Sequence, residues 1–109
     1  MSTIYIEPAE KSRDTMSLVK SAIEREIGTL VLALKMADDR LAPFEQKYGV
    51  TSDYFIARMA AEDLENGDDE YVQWAGEYKL KHRLQEKLSR LQEINYSDPG
   101  LLRSNQRPA

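Results

Sequence analysis

The chain contains no cysteine and a single histidine, His82. The lack of cysteine rules out a disulfide framework and fits a reducing cytoplasm. It also excludes Cys/His nucleophile schemes and zinc sites built on thiolates. The residue three positions before His82 is Lys79, so the Glu-x-x-His spacing of carboxylate-bridged di-iron bundles fails. The five glycines, Gly28, Gly49, Gly67, Gly76 and Gly100, are scattered, which leaves no glycine-rich loop to cradle a phosphate. Long apolar runs are missing too. The longest, residues 30–34, is far short of the roughly 20 residues that span a bilayer, and residues 1–8 are too polar for a signal peptide. The expectation is a non-enzymatic, cytoplasmic chain with no cofactor, no metal and no membrane association.

What is present is charge and helical periodicity. With 109 residues, 31% of them charged, the chain suits one small domain that buries only a modest share of its surface, so oligomerisation is expected. The net charge of −4 hides an asymmetry. Residues 1–48 carry seven basic and eight acidic groups, residues 49–70 carry Arg58 against seven acids, and residues 71–109 carry seven basic groups against four acidic.

From Met16 the apolar positions Val19, Ile23, Ile27, Leu30, Leu34, Ala37, Leu41, Phe44 and Tyr48 follow in steps of three and four. This is a heptad pattern with one stutter near Ile23, and it predicts a long helix. Pro43 removes one helical hydrogen bond and crowds the preceding turn, so a kink or break over residues 39–42 is expected. Gly49 suits the left-handed position after a helix, Val50 can fold back on that helix, and Thr51 or Ser52 can cap the next. A second, short helix is expected over residues 52–64. Residues 66–69, Asn-Gly-Asp-Asp, signal a turn whose acids favour the start of a third helix over residues 69–94. At 100° per residue, Tyr71, Trp74, Ala75 and Tyr78 form one stripe of that helix, and Leu80, Leu84, Leu88, Leu91 and Ile94 form another. The expected architecture is all-α: long helix, short helix, long helix, forming an antiparallel coiled-coil-like hairpin that dimerises. Residues 1–14 are expected to be a flexible N-terminus, 15–95 a single helical domain and 96–109 a disordered tail.

The block between Phe44 and Trp74 concentrates aromatics and acids, and candidate partner contacts are Tyr54, Phe55, Asp68, Asp69, Tyr71 and Trp74. A negative strip beside aromatics suits a protein that covers a basic, RNA-handling surface. Capping acids and core aromatics explain the same residues without a ligand. The Gly49 turn also resembles that of a helix-turn-helix, yet a DNA-reading helix needs cations, and the segment after this turn has only Arg58. A basic ridge of Lys79, Arg83, Lys87 and Arg90 runs beside the leucine stripe of the third helix. It reads either as a solvated flank or as a contact for an acidic partner or nucleic acid.

Residues 44–49 with Thr51, Ser52 and Phe55, then residues 64–70 with Trp74 and a final leucine-rich charged helix, resemble small prokaryotic antitoxins of toxin–antitoxin modules, of the type paired as TumA with TumE. The resemblance covers about residues 41–94. The stretch over residues 16–35 and the tail after Ile94 lie outside it. It implies a helical protein-binding module that neutralises an RNase-like toxin, with dimerisation and autoregulation. The alternatives are a structural coiled-coil assembly protein and a DNA-binding regulator.

Overall fold

A computed structural model describes residues 8–96 of the chain, with side chains described over 12–94. Every regular element among them is helical: α1 (Pro8–Tyr48), α2 (Ser52–Arg58), a 3₁₀ turn (Ala61–Asp63) and α3 (Gly67–Tyr96). The helices divide between two compact units. Of the described residues, one unit holds 8–29 and 89–96 and the other holds 30–88. Expectations for residues 1–7 and 97–109 lie outside the described residues.

Three element boundaries differ from expectation. α1 begins at Pro8, eight residues before the first periodic position, because proline is well tolerated in a first helical turn, where its missing N–H has no partner to lose. α1 also continues through Pro43 without a break. The helical backbone on both sides, carrying Leu41 and Phe44 into the core, outweighs the one lost bond. The second helix stops at Arg58 instead of running to residue 64. Met59 and Ala60 are extended, and the Asp63 carboxylate accepts the Ala60 N–H at 2.8 Å to cap a separate 3₁₀ turn.

The capped junctions form as expected. Gly49 has φ +66°, and Glu45 O accepts both the Gly49 N–H at 2.8 Å and the Val50 N–H at 3.3 Å. The second of these is the 6→1 bond of a Schellman ending. Thr51 is the N-cap of α2, its Oγ1 accepting the Tyr54 N–H at 3.1 Å. Gly67 has φ +56° where the chain turns into α3.

In the 30–88 unit, α1 and α3 run antiparallel, since partner numbers fall as α1 numbers rise. Asp38 pairs with Lys81 at 2.7 Å, Arg40 with Glu77 at 2.8 Å, and Lys47 with Glu70 at 2.9 Å. The core of this unit is Leu41, Phe55, Leu64, Trp74 and Ala75, with Phe44, Tyr48, Val50, Ile56, Met59, Tyr71 and Tyr78 packed against it. Leu80, Leu84 and Leu88 are only half-buried, and Leu32 and Met36 of α1 are exposed. In the other unit Met16, Ile23, Ile27 and Leu91 are half-buried, and Leu18 is exposed.

Candidate functional site: an aromatic core with an acidic edge

The site is built around Trp74, which is 0% exposed. Its indole stacks on Phe55 with centroids 3.9 Å apart and planes 1° from parallel, and also on Phe44 at 5.3 Å and Tyr48 at 5.6 Å. These rings come from all three helices, and an aromatic cluster contributes through its large buried area as well as its stacking. Burying the indole also requires an acceptor for its N–H. Trp74 Nε1 donates to Ser52 Oγ at 2.8 Å, and Ser52 Oγ donates to Glu45 Oε2 at 2.7 Å. The same carboxylate oxygen accepts the Ser52 N–H at 2.9 Å. The start of α2 is thereby tied to α1 on one side and to α3 on the other.

A second network fixes the turn into α3 and its acidic first turn. Glu70 is buried (6% exposed), and its carboxylate accepts from Tyr48 Oη at 2.6 Å, Lys47 Nζ at 2.9 Å and the Asn66 N–H at 3.1 Å. Tyr48 Oη in turn accepts the Glu65 N–H at 2.8 Å, and Lys47 lies 3.1 Å from the Glu65 carboxylate. The Tyr48 hydroxyl lowers the Glu70 pKa below the ordinary carboxylate range. Burial opposes this, while Lys47 and the Asn66 N–H reinforce it. The ammonium of Lys47 is held in its charged form by Glu70 first and Glu65 second, which raises its pKa.

The six expected contact residues separate into two groups. Phe55 and Trp74 lie wholly inside the core, and their expected role as surface contacts is corrected: burying the two rings face to face removes them from any partner's reach. Tyr71 is half-buried against Phe55, with ring centroids 4.9 Å apart. Tyr54 is 50% exposed, and Asp68 and Asp69 are exposed, as are Glu62 and Glu65 nearby in sequence. In the ridge, Lys79, Arg83 and Lys87 are exposed in one unit and Arg90 is exposed in the other.

The chain matches no protein-family model, no curated protein and no solved structure. The local geometry therefore carries the functional reading. Among the described residues, no group of three or more His, Cys, Asp or Glu is placed to hold a metal ion, and no helix is long and apolar enough to cross a membrane.

Sequence reasoning missed a polar cleft of about 290 Å³ in the 30–88 unit, lined by Glu45, Ser52, Asp53, Tyr78, Lys81 and His82 among others. Tyr78 Oη donates to Asp53 Oδ1 at 2.6 Å, which together with burial raises the Tyr78 pKa above its ordinary value. His82 is exposed, as expected of a helix-surface residue, and its ring lies 4.5 Å from that of Tyr78. The one-turn spacing of Tyr78 and His82 was a legible signal. Their meeting with Glu45 and Asp53 was not, because it depends on how α2 docks.

Proposed function

We propose that this chain is a non-enzymatic protein-binding module, an antitoxin whose acidic edge neutralises a basic RNase-like toxin. The observation that carries the reading is that Glu70 is buried and clamped by Tyr48, Lys47 and Asn66, while Glu65, Asp68 and Asp69 around it remain exposed. A buried carboxylate costs desolvation unless it is fully hydrogen-bonded, and here that network ties Glu65 and the first turn of α3, which carry the exposed acids, to α1. A braced charged segment binds with little ordering cost and speeds encounter with a partner of opposite sign. Tyr54, Asp68 and Asp69 form the contact set, with Tyr71 at its margin, and Phe55 and Trp74 support it from beneath.

In the same reading, α1 and α3 form an antiparallel coiled-coil-like hairpin that homodimerises in the cytoplasm. The half-buried Leu80, Leu84 and Leu88 and the exposed Leu32 and Met36 support this part of it.

The test is genetic and biochemical. A short neighbouring reading frame should encode a basic RNase-like protein that arrests growth alone, is silenced by this chain and co-purifies with it. Growth unaffected by the neighbour's expression would sink the reading. Replacing Asp68 and Asp69 with lysine should slow association and reduce its salt dependence.

A further inference from the structure

We propose that the cleft beside the start of α2 is a recognition site for a guanidinium group, occupied by an arginine side chain of a basic protein partner. The origin of the arginine rests on the function proposed above, whereas the preference for a guanidinium stands on the cleft itself.

Charge selects the sign of the ligand. Glu45 and Asp53 both line the cleft, and their partners are neutral donors: the Ser52 N–H and hydroxyl for Glu45, the Tyr78 hydroxyl for Asp53. An ionised carboxylate offers about four acceptor positions, so each keeps capacity for a cation. The cation in the lining, Lys81, has its amine 2.7 Å from Asp38, and its charge is already matched. The surplus is negative, in agreement with the acidic segment over residues 49–70.

Shape selects guanidinium over ammonium. Tyr78 and His82 are both among the residues that line the cleft, with their rings 4.5 Å apart and tilted 54°, so it offers aromatic as well as anionic groups. A planar guanidinium stacks on aromatic faces while its edge donates two parallel hydrogen bonds to a carboxylate. An ammonium is a compact point charge without that plane. The cleft has a volume of about 290 Å³. Arginine is among the residues that most often dominate the energy of a protein interface.

The experiment is a nuclear magnetic resonance titration of the full chain with N-acetyl-arginine methylamide, with the lysine and glutamate analogues and free L-arginine in parallel. The arginine amide should produce saturable shifts at Thr51, Ser52 and Asp53 and in the Tyr78 and His82 rings, with the lysine analogue weaker and the glutamate analogue inert. Asp53→Asn, which keeps an acceptor for Tyr78, should weaken binding about tenfold. Glu45→Gln provides a second weakened variant, and Glu24→Gln, at an exposed position of the other unit, should bind as the parent does. Shifts that never saturate, or an equal response to the glutamate analogue, would overturn the site. Tighter binding of free arginine than of the capped amide would overturn the protein origin of the ligand. If Asp53→Asn weakens the titration but leaves a captured toxin complex unchanged, the arginine occupant is refuted while the antitoxin reading survives. A saturable titration combined with a neighbouring gene whose expression leaves growth unaffected would support the cleft and refute the antitoxin reading.

Discussion

Trp74 Nε1 donates a 2.8 Å hydrogen bond to Ser52 Oγ, joining α3 to the first residue of α2 inside a core where both side chains are out of solvent. The bond lets an aromatic ring with one polar atom be buried completely, because a buried donor left without an acceptor costs more than the bond itself contributes.

Ser52→Ala should therefore destabilise the chain by about 1–3 kcal/mol, since it orphans the indole N–H and removes a donor from Glu45. Urea unfolding followed by the fluorescence of Trp74, the one tryptophan in the chain, measures this. A change within experimental scatter would mean that water replaces the serine oxygen.

Core and edge should respond differently to truncation. Trp74→Ala should cost about 3–5 kcal/mol, the range for emptying a large buried aromatic site. Tyr54→Ala, at a half-exposed ring, should stay within about 0.5 kcal/mol while weakening partner binding. If Tyr54→Ala unfolds the chain, or leaves partner affinity untouched, Tyr54 does not belong to the contact set.

Glu70 should make the fold acid-sensitive. Its pKa is lowered in the folded state, chiefly by the Tyr48 hydroxyl. Its contribution is therefore complete above the ordinary glutamate pKa and is lost as pH falls through the lowered folded value. Thermal melts across acidic pH should show stability declining in that window, and Glu70→Gln should flatten the decline. An unchanged acid limb in the variant would point to other carboxylates.

The Asp53–Tyr78 bond should be visible from the alkaline side. Tyr78 has a raised pKa, so its neutral form supports the fold below the ordinary tyrosine pKa, and that support is lost as pH rises through the raised value. In an ultraviolet phenolate titration, Tyr78 should ionise late, and Asp53→Asn should bring it back toward the ordinary tyrosine range. Tyr78→Phe should remove the late step altogether.

The glycines should divide by backbone conformation. Gly49→Ala, at φ +66°, forces an L side chain into the left-handed region at a cost of about 1–2 kcal/mol. Gly76→Ala, inside α3 with open space where the Cβ would lie, should stabilise by about 0.5–1 kcal/mol. Equal effects at the two positions would contradict the left-handed ending of α1.

The all-helical class, the two long helices, the left-handed ending at Gly49 and a cap at Thr51 or Ser52 were all legible in the sequence. Each depends on residues within a turn or two of one another, where periodicity and backbone preference act locally. The early end of α2 at Arg58 was not legible, because it depends on Asp63 folding back to cap Ala60 in competition with continued helix. Nor was the division of the Phe44–Trp74 block into core and edge. Trp74 and Phe55 on one hand, and Tyr54 and Tyr71 on the other, are all aromatic, so residue type did not separate them. Only the docking of α2 between α1 and α3 decided which faced inward. The same docking brought Glu45, Asp53, Tyr78 and His82 to one cleft across as many as 37 positions of sequence, while the packing of α1 against the start of α3 placed Glu70 on Tyr48 and Lys47. Local chemistry determined which segments coil and where they stop. Burial, which depends on residues distant in the chain, decided which of their side chains are free to meet a partner.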